Sequence, residues 1–360
     1  MTFDIHRRNT RRILVGNVPV GAGAPISVQS MTNTDTRDVG ATVDQIRRLT
    51  LAGCEIIRVA VPDMDAAAAI ADIKKQIEIP VIADIHFDYK LAVAAAQAGA
   101  DALRINPGNI GGRKKIKAVT DAARDCGIPI RIGVNAGSLE KDILKKNNGV
   151  TADGLVESAV RQIEMMDSLG FADLKIAIKS ANVPMTLDAY RQLAGKCDFP
   201  FHVGVTEAGG LYSGIVKSAI GIGMLLADGI GDTLRVSLTR DPVEEVRVGF
   251  EILKALGIRQ RGPDIISCPT CGRCKIDLFS IAEKVEQALM TRTAPIRVAV
   301  MGCVVNGPGE AREADVGIAG GDGDGVLFKK GKVIKRVPEA DLVAVLLDAV
   351  SEIENDREID

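Results

Sequence analysis

Glu55-Ile56-Ile57-Arg58-Val59-Ala60-Val61 reads as a strand buried on both faces: it is almost continuously apolar, rich in β-branched residues, and interrupted by Arg58 alone. A helical pattern over residues 43–52 precedes it and stops at Gly53; another, over 66–77, follows it. Outward from this stretch the same unit recurs. Strands are expected at residues 26–31, 55–61, 80–85, 102–106, 129–135, 173–178, 201–206 and 233–238, with further helical patterns such as 91–98, 154–169, 212–226 and 243–256. Gly99, Gly127, Gly170 and Gly257 follow helical segments as Gly53 does, since glycine takes the left-handed stop conformation without strain. Eight β–α units in about 230 residues is the count and size of a closed (β/α)₈ TIM barrel. An open doubly wound sheet is the alternative, weakened because no G-x-G-x-x-G follows the first strand.

Composition leaves room for more than the barrel. The chain has 360 residues, of which 46% are apolar, enough for a full core and a second, smaller domain. Lys+Arg number 45 against 47 Asp+Glu, a formal net charge of −2, which gives no electrostatic reason to expect nucleic acid or an anionic membrane as partner. No apolar run reaches the roughly 18 residues of a membrane span. The basic start from Met1 to Arg12 lacks the apolar centre of a secretory signal. The protein is expected in the cytoplasm.

A barrel of this type carries its chemistry at the C-terminal ends of its strands. Those ends are basic: Arg58, Arg104, Arg131, Lys175, Lys179 and Arg235 all interrupt or end apolar strands. A charge in a buried strand is costly unless it is paired or meets a ligand. Glu55, Asp84, Asp173 and Glu207 are the visible counter-charges, too few to neutralise the set. A polyanionic ligand is one reading and an internal ion-pair network the other; arginine suits phosphate because its planar fork donates two parallel bonds. His86, Asn106, Asn135, His202 and Ser237 supply neutral hydrogen-bonding groups at the same rim, although either histidine could equally be a satisfied structural one.

Beyond the linker Arg259-Gln260-Arg261-Gly262-Pro263 the character changes, which divides the chain into a barrel domain over 1–258 and a small α+β domain over 264–360. The second domain opens on Cys268-Pro269-Thr270-Cys271-Gly272-Arg273-Cys274, a C-x₂-C-x₂-C run. In a reducing compartment such a run reads as metal binding rather than disulfides. The common ferredoxin run adds a fourth cysteine three residues later. Leu278 stands there, so a further ligand must come from elsewhere, and Cys303 in a Gly/Pro-rich turn is the candidate. A structural Cys₄ zinc site is the competing reading. After the cysteine run a helix, a strand ahead of Cys303, a short strand at 316–319, a hairpin around Gly320–Gly325 and Gly331 and a terminal helix from about Pro338 are expected. Cys54, Cys126 and Cys197 each border a helix–strand junction and are expected to pack as small apolar side chains.

Several motifs together resemble the 4-hydroxy-3-methylbut-2-enyl diphosphate synthase family of the bacterial non-mevalonate isoprenoid pathway. They are Ser27-Val28-Gln29-Ser30-Met31-Thr32-Asn33-Thr34-Asp35-Thr36, Ala83-Asp84-Ile85-His86-Phe87, Leu103-Arg104-Ile105-Asn106-Pro107-Gly108-Asn109-Ile110-Gly111, Gly133-Val134-Asn135-Ala136-Gly137-Ser138-Leu139, the C-x₂-C-x₂-C run, and Asn306-Gly307-Pro308-Gly309-Glu310-Ala311. The resemblance spans essentially the whole chain. It implies a [4Fe–4S] cluster held by Cys268, Cys271, Cys303 and Glu310, which overrules Cys274, the ligand that spacing nominates. It further implies a two-electron reductive ring opening of 2-C-methyl-D-erythritol 2,4-cyclodiphosphate, with loss of water, to (E)-4-hydroxy-3-methylbut-2-enyl diphosphate. The basic rim would hold the diphosphate, and Glu207 would protonate the departing hydroxyl. Flavodoxin or ferredoxin would deliver the electrons, and the family's homodimer would let the cluster domain of one chain cap the barrel of the other. A pterin-binding barrel with a zinc appendage and a zinc-bearing binding module are the rival functions.

Overall fold

The first strands of the chain are too short to announce themselves. β1 (Ile13–Val15) and β2 (Val18–Val20) pair antiparallel, and Ile13, Val15 and Val20 pack on Ile56, Ile82 and Ala102. These partners lie at the N-terminal ends of barrel strands, so the hairpin floors the barrel. The computed structural model describes residues 5–305 and 307–359, with side chains through 357, as two compact units, the first ending at Arg259 and the second beginning at Gln260. Asn306, in the last of the family motifs, lies outside the described residues.

The first unit is the expected barrel. Its parallel strands are β3 (Ser27–Met31), β4 (Ile56–Ala60), β5 (Val81–Asp84), β6 (Ala102–Ile105), β7 (Ile130–Asn135), β8 (Leu174–Lys179), β9 (His202–Val203) and β10 (Thr233–Leu234). The order β8-β7-β6-β5-β4-β3-β10-β9 closes through a parallel bridge between Ile176 and Phe201, with the Ile176 N–H donating to the Pro200 carbonyl at 3.0 Å. Helices alternate with the strands. Many begin at an Asp or Asn cap on the loop leaving a strand: Asp38, Asp63 and Asn182 each accept from a backbone N–H of the first turn. Helix Val39–Ala52 stops at Gly53, whose φ of 107° is left-handed.

Two strands are shorter than the sequence predicts. The ladders of β9 and β10 end after Val203 and Leu234, not at 206 and 238. Gly204 explains part of this, because a Cβ there would stand 2.4 Å from the Arg235 carbonyl oxygen. Backbones that close leave ladder geometry, and Glu207 then turns the chain with a φ of 53°. Of the scattered cysteines, Cys54 is buried and Cys197 half-buried, but Cys126 is exposed at the end of helix Arg113–Asp125, so the packing expectation fails for it.

The second unit is α+β. Its sheet runs β11 (Asp264–Ser267), β12 (Arg297–Met301), β13 (Val316–Gly320), β14 (Asp324–Lys329) and β15 (Lys332–Pro338), parallel across the first three and antiparallel after them. Helices Leu278–Leu289 and Leu342–Ile359 cover one face through Leu278, Ile281, Val285, Leu342, Leu346 and Val350. The sequence reading misses β11, which precedes the cysteine run. The terminal helix starts at Leu342, later than expected, because β15 extends to Pro338.

Candidate active site

Strand alternation sorts the barrel interior into an apolar floor and a charged layer above it. Ile56, Ile82 and Ala102 face inward at the bottom, and two residues further along the same columns stand Arg58, Asp84 and Arg104. Asp84, Arg104, Arg131 and Lys175 are consecutive register partners across β5, β6, β7 and β8, so their side chains leave the sheet side by side. Glycines make room for the long side chains. A Cβ at Gly133 would stand 2.8 Å from Arg104 Nε, and one at Gly204 2.8 Å from Lys179 Nζ.

Two carboxylates hold part of this charge. Asp84 accepts from Arg104 Nη1 at 3.0 Å and lies 3.5 Å from Arg58 Nε and 3.8 Å from His86 Nε2. Glu245, on helix Pro242–Ala255, grips Arg235 through Nη2 at 3.1 Å and Nε at 3.2 Å, and also accepts from the Leu238 N–H at 3.0 Å. The Met31 sulfur accepts from Arg58 Nη2 at 3.0 Å. The expected counter-charges are mostly elsewhere: Glu55 pairs with Arg259 at 2.9 Å, while Asp173 and Glu207 are exposed. Glu245 is the acid that sequence reasoning misses. Its signal is phase, since it stands on the same stripe as the buried Val246, Gly249, Phe250 and Leu253.

The remaining cations are not neutralised. Arg131 and Lys175 are buried and have no ion pair among the described residues. Arg104 Nε, Arg131 Nε and Lys175 Nζ are buried atoms without a hydrogen-bond partner. Burial, and then the neighbouring Arg131, push Lys175 down to about 7. Burial and Arg131 likewise hold Lys179 well below the usual lysine range. Burial lowers Arg58 to about 10 despite Asp84. For Asp84 the order reverses: burial raises it, yet the positive field of Arg58 and Arg104, with Arg131 and His86 adding to it, outweighs this and holds it at about 2.

The neutral groups divide. His202 is fully buried, its Nδ1 2.8 Å from Thr233 Oγ1 and its Nε2 3.3 Å from Lys179 Nζ. Burial and Lys179 hold it far below the usual histidine range, so the ring is neutral, with one nitrogen facing Thr233 and the other facing Lys179. Thr233 is thus a second residue the sequence reading misses. Asn106 is buried, donates to Ser138 Oγ at 3.0 Å and accepts from the Gly108 N–H at 3.0 Å. Asn135, with its amide oriented to satisfy its neighbours, accepts from Arg104 Nη2 at 3.2 Å. Ser237 is half-buried and His86 exposed. Glu207 stands exposed on the loop after β9, in the left-handed conformation noted above.

In the second unit, two parallel strands end in the cysteine loops. Cys268 follows β11, its N–H donating to the Val300 carbonyl at 3.3 Å, and Cys303 lies two residues past β12. Glu310 ends the one-turn helix Gly307–Glu310, whose Gly307 N–H donates to the Cys303 carbonyl at 3.0 Å. Among the described residues no three His, Cys, Asp or Glu side chains converge tightly enough to hold a metal ion as they stand. The donor set nevertheless fits a thiolate-held cluster. The Gly302 N–H donates to Cys268 Sγ at 3.2 Å, a bond of the kind that tunes cluster sulfurs. Gly302 also leaves a cradle, since a Cβ there would stand 2.9 Å from Cys274 Sγ and 3.3 Å from Cys268 Sγ. Thr270, between Cys268 and Cys271, is β-branched at a φ of 67°, a strained conformation of the kind that collects at functional sites. Cys268 and Cys274 also pack against the domain core, whereas Cys271 and Glu310 are exposed.

The chain resembles known proteins over nearly its full length. A family model described as GcpE TIM-barrel domain matches residues 10–250, and one described as GcpE protein C-terminal domain matches residues 264–352. A protein of Geobacter sulfurreducens named 4-hydroxy-3-methylbut-2-en-1-yl diphosphate synthase (flavodoxin) is 61% identical over 347 residues, covering 96% of this chain and 98% of that one. A protein of the same name from Desulfotalea psychrophila is 59% identical over 355 residues, covering 98% of each. Among solved structures, dihydropteroate synthase from Stenotrophomonas maltophilia superposes with a TM-score of 0.52 at 13% identity, covering 69% of this chain and 97% of that one. That likeness shows the barrel fold alone. Among the described residues no helix is long and apolar enough to cross a membrane.

Proposed function

The chain belongs to the GcpE family, and on that premise we infer that it catalyses the reductive ring opening and dehydration of 2-C-methyl-D-erythritol 2,4-cyclodiphosphate to (E)-4-hydroxy-3-methylbut-2-enyl diphosphate. Two electrons and two protons enter, a ring C–O bond breaks, and a hydroxyl leaves as water. One observation carries the reading: Arg58, Arg104, Arg131, Lys175, Lys179 and Arg235 line the barrel interior, and among the described residues only Asp84 and Glu245 are carboxylates that form ion pairs with them. Buried cations in that excess suit a polyanion and are costly without one.

In this reading the six cations bind the diphosphate. His86, Asn106, Asn135 and Ser237 add neutral hydrogen bonds, and His202 orients Lys179 from below. Glu207 is the acid that protonates the departing hydroxyl. Residues 1–258 form the substrate domain and residues 264–360 the cluster domain. Cys268, Cys271, Cys303 and Glu310 would hold a [4Fe–4S] cluster, which when bound supplies electrons one at a time. The N–H···S bond at Cys268 and the strained Thr270 support that assignment. The carrier is a flavodoxin, as the relatives' names state of them, or a ferredoxin. The enzyme works in the cytoplasm, where thiols stay reduced, as a homodimer. Helix Leu211–Ala227 offers a surface for self-association, because Tyr212, Val216, Ile220 and Met224 recur every fourth residue and are exposed.

The deciding experiment is anaerobic purification with iron and sulfide analysis, followed by turnover of the cyclodiphosphate with reduced flavodoxin. Brown protein holding about four irons per chain and forming the linear diphosphate is expected. Colourless protein with stoichiometric zinc and no turnover would overturn the reading.

A further inference from the structure

The steepest local charge excess in the second unit is one turn and its edge strand. Lys329-Lys330-Gly331-Lys332-Val333-Ile334-Lys335-Arg336 holds five cations and no acid in eight residues, within a chain of net charge −2. Lys329 pairs with Glu352 at 3.2 Å and Arg336 with Asp324 at 2.8 Å. Lys330, Lys332 and Lys335 have no ion-pair partner among the described residues. β15 is the last strand of its sheet, with β14 as its neighbour, and every residue from Lys332 to Arg336 is exposed. Val333 is 56% and Ile334 59% accessible.

This turn lies against the segment that carries Glu310. The Lys330 N–H donates to the Ala314 carbonyl at 3.2 Å, and a Cβ on Gly331 would stand 3.1 Å from the Pro308 carbonyl oxygen and 2.9 Å from Arg312 Cβ. Pro308 is two residues from Glu310, and Arg312 two residues beyond it. Lysines on an edge strand have a simpler use, which is to keep sheets of different molecules from pairing. That accounts for Lys332 and Lys335. It does not account for Lys330, which is in the turn and not on the strand, nor for Val333 and Ile334, whose exposure works against such protection.

We propose that the Lys330–Lys332 turn and the outer edge of β15 form the docking surface for the electron donor, an acidic one-electron carrier of the flavodoxin class. This rests on the cluster assignment made above. Electron tunnelling falls steeply with distance, so a carrier must dock close to the ligand segments, and this turn touches one of them. Three lysines around two exposed aliphatic side chains make a small, charge-rimmed patch. Transient redox complexes use such patches, with interfaces under about 1,200 Å², and charge speeds encounter without making release slow.

The test is the double charge reversal Lys330→Glu/Lys332→Glu in the full-length holoenzyme, with Lys330→Gln/Lys332→Gln as the milder variant. Titration with an acidic flavodoxin should show Kd weakened at least about 10-fold at low ionic strength by the reversal and by less in the glutamine pair, both gaps closing as salt rises. Flavodoxin-driven kcat/KM should fall in parallel, while dithionite-driven turnover and the visible absorbance stay unchanged. Unaltered flavodoxin affinity overturns the proposal, as does an equal loss with both reductants. It also fails if the variants change the sedimentation of the protein alone while flavodoxin affinity stands, which would make the edge a contact between copies of this chain. If wild-type protein turns over with neither reductant, the proposed reaction fails instead, and the binding titration still decides the docking surface.

Discussion

Asp84 Oδ1 accepts a hydrogen bond from Arg104 Nη1 at 3.0 Å, and both side chains are buried. The carboxylate also faces Arg58, so one acid stabilises two guanidinium groups. Asp84→Asn removes that charge and leaves the buried Arg104 and the half-buried Arg58 without it, which should lower barrel stability by about 3–5 kcal/mol. The folded carboxyl stands at about 2 against an ordinary 3.8, a stabilisation of about 2 kcal/mol. A depressed carboxyl contributes fully above its unfolded value and loses the contribution as pH falls through its folded value. The stability gap between wild type and Asp84→Asn should therefore narrow from about pH 4 down to about pH 2. Urea denaturation of the two proteins at several acidic pH values measures this; a constant gap would mean that Asp84 is not ionised by its arginines.

Lys175 presents the opposite case, a buried cation with no ion pair among the described residues, on which Asp232 acts only from a distance. Its folded value of about 7 lies below the ordinary 10.5. Between those values the unfolded chain binds the proton and the folded one does not, so this group makes stability rise with pH across that window. Lys175→Met should stabilise the ligand-free protein near pH 7 by about 1–4 kcal/mol, and the advantage should shrink toward pH 10. The same substitution should weaken diphosphate binding. A bound dianion raises the lysine, so binding at pH 8 should take up protons, which calorimetry in buffers of different ionisation enthalpy detects. No proton uptake, together with a less stable variant, would remove Lys175 from the binding role.

The barrel is legible in the sequence because parallel strands buried on both faces must be apolar, and Arg58, Arg104, Arg131, Lys175 and Arg235 break that rule visibly. The ends of β9 and β10 are not legible, since apolar runs do not reveal where Gly204 meets the Arg235 carbonyl and the ladder stops. Three-residue strands such as β1 and β2 carry no period at all. Counter-charges are the harder problem. Glu55 and Asp173 look available because they border strands, but both precede their strands and sit at the far end from the mouth. Glu245 comes from a helix and is readable only as an acid on an apolar stripe. Residue type alone also cannot tell a rim histidine from one, like His202, that Thr233 and Lys179 satisfy.

Spacing and family resemblance disagree over the fourth cluster ligand, and iron content separates them. Cys274 packs on the domain core, its thiol donating to the Ile276 carbonyl at 3.4 Å, so it has a structural place without a metal. Cys274→Ser should leave a four-iron cluster with unaltered visible absorbance, whereas Glu310→Ala should lower iron content or distort the spectrum and abolish turnover. Iron lost in the cysteine variant and retained in the glutamate variant would invert the assignment.

Arg131 and Arg104 are neighbours in register but differ in what they would leave behind. Arg104 pairs with Asp84, while Arg131 is buried without an ion pair among the described residues and is held well below the usual arginine range by burial and by Arg58. If both serve the diphosphate, replacing either by Met removes a charge-assisted hydrogen bond of about 1.5–3 kcal/mol, or roughly 10- to 150-fold in affinity. Their stability effects should diverge. Arg104→Met leaves Asp84 with Arg58 as its only close guanidinium and should lower the melting temperature. Arg131→Met relieves repulsion with Arg58 and Arg104 and should leave melting unchanged or raise it. Thermal melts of the ligand-free variants, with calorimetric binding of the cyclodiphosphate and a check that visible absorbance is intact, give both quantities. Equal destabilisation with undiminished affinity in both variants would mean that the basic layer is an internal ion-pair network and not a diphosphate site.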